Sequence, residues 1–311
     1  MTKTNIELAF YGTRGSCPKG RPEFMEFGGD TSSYTLRLGE ALHLLDAGTG
    51  VQEALNEQLT PGTERVEIDL THPHLDHINM GCAGQIYFNN VPGAIQIVGC
   101  EGTERALNKV FDGEFLWPVD FEHMGGINKV ITECRGREEF QHPGYNVRTL
   151  RNWHPRGPTR DGDGGSIGFR YDVQTTEGGI YSVAYVSDMT FRYDNKGQPL
   201  LGSEQRINEF VRFVQGADVL IADTQYSEDD FAKMPFLKGF GHPALEEVID
   251  YATRAGVKLL LGTHHDTKQT DELLRKKEQF GQEYGRSVGF QGDFGMARQE
   301  ERIVAPYRIA A

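Results

Sequence analysis

Hydrophobic residues in the first two thirds of the chain fall in short runs rich in β-branched and aromatic side chains, a pattern typical of strands. Glycines are spread between these runs as turn residues and form no linker. We therefore predict strands over Ile6–Tyr11, Ser33–Leu38, Leu42–Asp46, Val66–Leu70, Ala94–Val98, Tyr145–Leu150, Ile167–Val173 and Ile180–Val186. Helices are predicted over Val51–Leu59, Asn79–Phe88 and Thr103–Phe111.

The last third alternates more regularly between helices and strands. Helices are predicted over Ile207–Val214 and His242–Ala255, and strands over Asp218–Ala222 and Lys258–Thr263. Pro243 is expected in the first turn of the second helix, and Gly256 at its end. Apolar residues recur along this helix at the spacing of one buried face: Leu245, Val248, Ile249 and Ala252.

This order of elements predicts an α/β fold in which two sheets pack together and helices cover them. Strands follow strands early in the chain, and strands alternate with helices in both halves. No change in composition marks a domain boundary along the 311 residues. We therefore expect one domain built from two halves, at about 1–175 and 176–311.

The composition is that of a soluble globular protein, with 38% hydrophobic and 25% charged residues. A net charge of −13 opposes binding to a phosphate backbone and argues against a nucleic-acid polymer as partner. The four cysteines form no C-x-x-C pair, as expected of reduced thiols in the cytoplasm. No apolar run is long enough for a membrane span. We expect a cytoplasmic protein without a membrane partner. The oligomeric state is left open, with a homodimer as one possibility.

The strongest chemical signal is the segment Thr71–His77, whose sequence is T-H-P-H-L-D-H. Its three imidazoles and one carboxylate would repel or compete with one another unless they share a divalent cation. Alternate residues of an extended segment point the same way, so His72 and His74 are predicted to bind one metal ion. Asp76 and His77, at the turn into the next element, are predicted to face a second metal nearby.

This H-x-H-x-D-H pattern resembles the metallo-β-lactamase superfamily, whose fold is a four-layered αβ/βα sandwich. Further segments resemble its ribonuclease Z-like branch: Y-G-T-R-G-S from Tyr11, F-G-G-D-T-S from Phe27 and L-D-A-G-T-G from Leu45. A segment from Asp218 to Tyr226, followed by Gly241-His242 and then Thr263-His264-His265-Asp266, resembles a bacterial subgroup with a His-His-Asp signature.

The resemblance implies three further ligands and a dinuclear site. Two divalent ions are expected, with Zn²⁺ as the first choice and Mn²⁺ or Fe as alternatives. The first ion would be held by His72, His74, His154 and Asp188. The second would be held by Asp76, His77, Asp188 and His264, with Asp188 bridging both. His265 stays open as an alternative to His264, because the end of a strand is uncertain by a residue.

Two catalytic residues follow from the same resemblance. His242, in Gly241-His242-Pro243, is expected near the leaving group as a general acid or phosphate contact, together with Asp76. A capping role for His242 is the alternative.

Arg156 and Arg160 lie in a stretch, Arg156–Asp163, that departs from the subgroup pattern. They are candidates for binding a substrate phosphate or carboxylate, with plain solvent exposure as the alternative.

The function expected on these grounds is hydrolysis of a small phosphodiester, such as a cyclic nucleotide, by a metal-bridging hydroxide. Hydrolysis of a lactone or another carboxylic ester would use the same site and is the first alternative. A di-iron redox protein is the second, because His and Asp also suit iron. A nuclease is the third, and the acidic charge and the lack of a basic arm oppose it.

Overall fold

The computed structural model describes residues 5–79, 94–124, 129–155 and 165–308. Fourteen strands lie in these ranges. The strands are β1 (Asn5–Gly12), β2 (Ser33–Leu38), β3 (Ala41–Leu45), β4 (Arg65–Leu70), β5 (Ile95–Cys100), β6 (Lys129–Cys134), β7 (Glu139–His142), β8 (Tyr145–Arg151), β9 (Ile167–Gln174), β10 (Ile180–Val186), β11 (Val219–Asp223), β12 (Leu259–Thr263), β13 (Asp293–Met296) and β14 (Arg302–Arg308). The helices are α1 (Val51–Gln58), α2 (Thr103–Val110), α3 (Ser203–Phe213), α4 (Glu228–Lys233), α5 (Leu245–Ala255) and α6 (Asp271–Ser287).

The described strands form two seven-stranded sheets with the same internal pattern. The first has the order β14-β1-β2-β3-β4-β5-β6 and the second the order β13-β12-β11-β10-β9-β8-β7. In the first sheet the pairs from β14 to β3 are antiparallel and those from β3 to β6 are parallel. In the second, β7 to β10 pair antiparallel and β10 to β13 pair parallel. The interpretation as one domain with two halves stays a prediction.

Three apolar clusters separate four layers. The central cluster lies between the sheets and includes Phe10, Tyr34 and Phe169, each fully buried. A second cluster joins the inner sides of α3, α5 and α6 to the second sheet, and a third joins α1 and α2 to the first. Burying a side chain of this size contributes about 2 kcal/mol, so these layers supply the main stabilisation. The predicted sandwich of two sheets covered by helices is confirmed.

Most predicted elements are confirmed, with ends that match or are shifted by up to four residues. The predicted helix over Asn79–Phe88 falls almost entirely on residues 80–93, outside the described residues. Elements that the pattern did not predict are the strands β6, β7, β13 and β14 and the helices α4 and α6. Among the described residues, no helix is long and apolar enough to cross a membrane.

The start of α5 was predicted three residues too early. The helix begins at Leu245, with Ala244 in extended conformation at its N-cap, so Pro243 precedes the first turn. The side chain of Glu247 accepts a hydrogen bond from the backbone N–H of Ala244 at 2.9 Å, which is the contact that a glutamate at this position makes in a capping box. His242 therefore lies in the loop before the helix. The predicted apolar face of α5 is confirmed, since all four of its residues are fully buried.

Candidate metal centre

The candidate site lies where strands of both sheets end. Asp46 and His72 follow the parallel neighbours β3 and β4, while Asp188 and His264 follow β10 and β12 in the second sheet. The carboxyl ends of parallel strands lie at the same edge of a sheet, where ligands are commonly bound. His154 comes from the segment that follows β8. The fold thus brings side chains that are distant in sequence to one edge.

Three imidazoles form the first group of predicted ligands. Nδ1 of His74 lies 2.8 Å from Nε2 of His72 and 3.3 Å from Nε2 of His154. Oδ1 of Asp188 lies 3.8 Å from Nε2 of His72 and 3.7 Å from Nε2 of His154. These distances suit nitrogen and oxygen atoms that surround one small cation, and the three imidazoles form a group able to hold a metal ion.

The second group lies against the other oxygen of Asp188. Its Oδ2 is 3.2 Å from Nε2 of His77 and 3.3 Å from Nε2 of His264. Oδ2 of Asp76 is 3.3 Å from Nε2 of His77 and 3.2 Å from Nε2 of His264. Asp188 therefore stands between the two groups with one oxygen facing each, which is the arrangement that a bridging carboxylate needs.

The nitrogens on the far side of these imidazoles are held by protein acceptors. Nδ1 of His77 lies 2.7 Å from Oδ2 of Asp46, and Nδ1 of His154 lies 3.1 Å from the carbonyl oxygen of Gly241. Nδ1 of His264 lies 3.1 Å from Oε1 of Gln225. Such contacts fix the tautomer in which the inward nitrogen has a free lone pair, as in histidines that bind metals.

One atom in particular fits a cation. Nε2 of His77 is buried and has no hydrogen-bond partner among the described residues, although two carboxylates lie within 3.3 Å. A buried polar atom without a partner costs about 1–3 kcal/mol, so such atoms are rare in folded proteins. An ion between these groups would satisfy this nitrogen and also neutralise the carboxylates. The residues present therefore fit divalent metal ions.

Burial keeps the first group neutral. It lowers the pKa of His72 well below the usual value, that of His74 in the same direction, and that of His154 to about 3. A neutral imidazole is the form that binds a metal, because its inward nitrogen then has a lone pair. Burial thus prepares these three side chains as ligands near neutral pH.

Charge governs the second group. Burial disfavours the charged form of His77, but Asp76 and then Asp46 raise its pKa well above the usual value. Burial also opposes ionisation of Asp188, yet His264 and His77 hold its pKa well below the usual range. The carboxylates of this group therefore favour positive charge between them, which a divalent cation would supply in place of the protons on the imidazoles.

Asp46 is a functional residue that the sequence analysis missed. Its side chain accepts hydrogen bonds from the backbone N–H of Thr71 at 2.7 Å and from the hydroxyl of Tyr185 at 2.5 Å, besides its contact with His77. It therefore ties β4 and β10 to the imidazole of His77. It belongs to the L-D-A-G-T-G segment that resembles the ribonuclease Z-like branch, but no role was predicted for it.

Three site residues adopt a backbone conformation that only glycine adopts at low cost. The φ angles of Asp46, Asp188 and His264 are 57°, 51° and 60°. Left-handed φ values in non-glycine residues cost on the order of 1 kcal/mol each and cluster at functional sites. Each of the three stands at the end of a strand, where this conformation turns the chain out of the sheet.

Two glycines allow close approach to the imidazoles. A Cβ on Gly15 would lie 2.4 Å from the ring of His264, and one on Gly241 would lie 2.6 Å from Nδ1 of His154. Gly241 also has a φ of 88°, which disfavours other residues. After Gly15, the backbone N–H of Ser16 donates to Oδ2 of Asp76 at 2.7 Å. Both glycine positions therefore help to hold predicted ligands.

His242 lies beside the two groups but has a partner of its own. Its Nδ1 lies 2.6 Å from Oδ2 of Asp223, a fully buried residue, and 3.9 Å from Oδ1 of Asp188. Its ring stacks on that of His264 with centroids 5.0 Å apart. Asp223 was part of a segment noted in the sequence, but no role was predicted for it. Geometry also allows His242 to group with Asp188 and His264 around a cation.

The remaining predicted residues separate clearly. His265 is buried, and its Nε2 lies 2.8 Å from the carbonyl oxygen of Ala297, away from the two groups. The structure thus brings His264, and not His265, next to Asp76 and Asp188. Arg156 and Arg160 lie outside the described residues.

An open cavity of about 850 Å³ leads to the site. His74, Asp76, Asp188, His242 and His264 line it, together with aromatic residues that include Tyr226 and Phe240. Cavities of about 300–1,000 Å³ are typical of sites for small ligands.

Comparison with known proteins relates the chain to the beta-lactamase superfamily. The beta-lactamase superfamily domain matches residues 43–265. Ribonuclease Z of Lactiplantibacillus plantarum is 24% identical over 305 residues, covering 89% of this chain and 93% of that protein. Yeast PDE1 has a TM-score of 0.65 at 15% identity, covering 97% of this chain and 100% of that chain. A diphosphatase of the PhnP family has a TM-score of 0.63 at 15% identity, covering 98% and 99%.

The predicted resemblance is therefore confirmed by structural similarity and by sequence similarity. The structural likenesses show the shared fold, and ribonuclease Z is similar along nearly the whole sequence. The superfamily domain spans more than half of the chain and includes the H-x-H-x-D-H segment and His264. The chain belongs to the beta-lactamase superfamily and has its metallo-β-lactamase fold.

Proposed function

We propose that this protein is a dinuclear phosphodiesterase that hydrolyses small phosphodiesters. The observation that supports this most is Asp188, whose two oxygens face two different groups of imidazoles. A site for one ion would not need a second group on the other side of the carboxylate. Sites with two neighbouring metal ions are common in enzymes that cleave phosphate esters.

Two groups of residues would hold the ions. His72, His74, His154 and Asp188 would hold the first, and Asp76, His77, Asp188 and His264 the second. Zn²⁺ is the first choice, because imidazole and carboxylate are its usual ligands beside thiolate. Bound ions at these positions would lower the pKa of water and withdraw charge from a phosphoryl oxygen.

His242 and Asp223 supply proton transfer in this proposal. Nδ1 of His242 lies 2.6 Å from a carboxylate oxygen of Asp223, which leaves Nε2 as the nitrogen available to a substrate. A neighbouring carboxylate stabilises the imidazolium, so His242 can hold a proton at Nε2 and donate it to a leaving alkoxide. The backbone N–H of Gln225 donates to the other oxygen of Asp223 at 2.9 Å and fixes its orientation.

Asp76 has a positioning role beside its proposed ligand role. The N–H of Ser16 donates to its Oδ2, and the same oxygen faces His77 and His264. The carboxylate is therefore held in one orientation by the first loop of the chain. This fixed orientation suits the role expected from the sequence, in which Asp76 works together with His242 at the leaving group.

The similar proteins support a phosphate ester as the class of substrate and do not indicate which ester it is. The similar proteins include a ribonuclease Z, a diphosphatase and PDE1. The cavity of about 850 Å³ suits a small ligand such as a cyclic nucleotide. Carboxylic esters and lactones remain the competing substrate class, because the same side chains could act on a carbonyl group.

A metal-resolved substrate screen tests the proposal. The metal-free protein is reconstituted with Zn²⁺, Mn²⁺ or Fe²⁺ and assayed on bis(p-nitrophenyl) phosphate, cyclic nucleotides, p-nitrophenyl acetate and a homoserine lactone. We expect hydrolysis of the phosphodiesters with at least one ion, and none in the Asp188→Ala variant. Activity confined to the ester or the lactone would overturn the proposal in favour of carboxylic ester hydrolysis.

A further inference from the structure

A second cavity of about 680 Å³ lies between β8 and α3, outside the metal centre. We call it the arginine cleft, because six arginines line it: Arg135, Arg137, Arg148, Arg151, Arg206 and Arg212. Among the described residues that line it, Glu209 is the one carboxylate. The chain as a whole has a net charge of −13, so this concentration of positive charge opposes the general trend of the molecule.

Several of these arginines have no counter-ion in the described structure. Arg148 pairs with Asp172 at 2.7 Å and Arg135 with Glu101 at 3.0 Å. By contrast, three other arginines of the cleft have side chains without a hydrogen bond or ion pair to any described residue: Arg137, Arg206 and Arg212. The sequence contains 45 acidic residues against 32 Lys and Arg, so partners are not scarce.

Two buried donors in the arginine cleft also lack partners. Nη1 of Arg206 and Nδ2 of Asn152 are buried without a hydrogen-bond acceptor among the described residues. Asn152 is only 7% exposed. Leaving a buried donor unsatisfied costs about 1–3 kcal/mol. Both atoms are donors, so the missing group is one that accepts hydrogen bonds.

We propose that the arginine cleft binds a small anion with two or more phosphate groups, at a site separate from the metal centre. Guanidinium groups bind phosphate oxygens in a bidentate manner, and unpaired arginines provide the charge that such an anion needs. A volume of about 680 Å³ accommodates a ligand of nucleotide size. The indole of Trp153, which also lines the cleft, offers an aromatic face.

The arginine cleft adjoins the segment that positions one predicted metal ligand. Asn152 and Trp153 line the cleft, whereas His154 and Pro155 line the cavity of the metal centre. The backbone N–H of Thr190 donates to the carbonyl oxygen of Trp153 at 2.9 Å. A ligand in the cleft would therefore contact the chain directly before His154. The proposal does not depend on the substrate of the metal centre.

Tryptophan fluorescence provides a direct binding assay. The sequence contains two tryptophans, so Trp117→Phe leaves Trp153 as the only one. The metal-loaded Trp117→Phe protein is titrated with inorganic triphosphate, with the β,γ-methylene analogue of ATP and with orthophosphate. We expect a saturable change in Trp153 emission with triphosphate, with the ATP analogue or with both, and much weaker binding of orthophosphate. Binding of the analogue alone would indicate that the base is recognised as well.

The double variant Arg206→Gln/Arg212→Gln tests whether the cleft is the site. We expect its dissociation constant to rise about tenfold or more, because charge-assisted hydrogen bonds to the anion are lost. Arg286→Gln is the matched control, since Arg286 and Arg212 are both exposed and lie in the last turn of a helix. It removes one positive charge of the same kind, away from the residues that line the cleft, and should leave the dissociation constant unchanged. An unchanged far-ultraviolet circular dichroism spectrum and an unchanged melting temperature of the double variant show that its fold is intact.

Three results would overturn the proposal. The first is no change in emission with either polyphosphate. The second is equal affinity in the double variant and in Arg286→Gln, which would place binding elsewhere, for instance at the metal centre. The third is tight binding of a single-stranded RNA oligonucleotide, with the same dependence on Arg206 and Arg212, when neither small polyphosphate binds.

Discussion

Oδ2 of Asp223 lies 2.6 Å from Nδ1 of His242, and both residues are buried, with His242 lining the metal-centre cavity. The pair joins the end of β11 to the loop before α5. It gives His242 a fixed orientation and a carboxylate to stabilise its charged form. This arrangement differs from a simple helix cap, because α5 begins only at Leu245 and is capped by Glu247.

The first prediction concerns His242 as a proton donor. His242→Ala should retain both metal ions and lower turnover by about 10²–10⁴-fold on a cyclic nucleotide, whose leaving alkoxide needs a proton. The loss should be much smaller on bis(p-nitrophenyl) phosphate, because nitrophenolate leaves without protonation. Asp223→Asn should show the same substrate dependence with a smaller loss.

Steady-state kinetics on the two substrates and metal analysis of each variant provide the measurement. An equal loss on both substrates would indicate that His242 only positions the substrate. A fall in metal content would instead make His242 a ligand, in line with its place near Asp188 and His264.

The second prediction separates His264 from His265. Nε2 of His264 faces Asp76 and Asp188, whereas Nε2 of His265 faces the carbonyl oxygen of Ala297. His264→Ala should therefore lower the metal content toward one ion per chain, while His265→Ala should keep both ions. Plasma emission spectroscopy of the purified variants measures this directly, and the reverse pattern would refute the assignment of His264.

The third prediction concerns Asp46, whose side chain contacts the proposed ligand His77 and is not itself a proposed metal ligand. Asp46→Asn should weaken metal affinity by about 10–100-fold, the range for residues that orient a ligand. Competition with a chromophoric chelator measures the affinity. Asp293→Asn is the control, since Asp293 is exposed on β13 and should change nothing. Unchanged affinity in Asp46→Asn would mean that the contact with His77 does not support metal binding.

The fourth prediction concerns pH and stability. Burial, and then the charge of Asp69, raises the pKa of Glu67 from 4.5 to about 7. Beside them, burial lowers the pKa of His43 to about 4, so this histidine supplies no compensating charge near neutral pH. The folded protein therefore holds the proton of Glu67 more tightly than the unfolded chain does.

The pH dependence of the stability follows from this difference in proton binding between the folded and unfolded states. Stability from a carboxyl group whose pKa is raised on folding is present below its unfolded pKa and is lost as pH rises toward the folded value. Glu67→Gln imitates the protonated acid, so its melting temperature should match the wild type near pH 4.5 and exceed it at pH 8. Calorimetry across this range, with Glu64→Gln as an exposed control, tests the expectation. A variant that is less stable than the wild type at pH 8 would contradict it.

The sequence predicted the parts of the site that are local. His72, His74, Asp76 and His77 occur within one segment after an apolar strand, so their spacing alone indicates metal binding. Asp46, Asp223 and Gln225 were not predicted, because each acts on an imidazole far away in the sequence. A single sequence contains no signal that pairs a given carboxylate or amide with a histidine on another element of the fold.

The missed elements have physical reasons too. The helix α6 is rich in charged residues and contains Gly281 and Gly285, which disfavour a helix by propensity. Packing outweighs that cost, since a Cβ on Gly281 would lie 2.3 Å from the ring of Phe294. The strand β7 has only four residues, and the sequence of β6 mixes polar and apolar side chains without clear alternation. Tertiary contacts, rather than local pattern, define these elements.

The central claim is that Asp188 bridges two metal ions that hydrolysis requires. Metal content and phosphodiesterase activity, measured on the same preparations of wild-type protein and Asp188→Ala, test it most directly. We expect two divalent ions per chain in the active wild type. In the variant, we expect the loss of most metal and of essentially all hydrolysis. An Asp188→Ala protein that keeps two ions per chain and full turnover would contradict it.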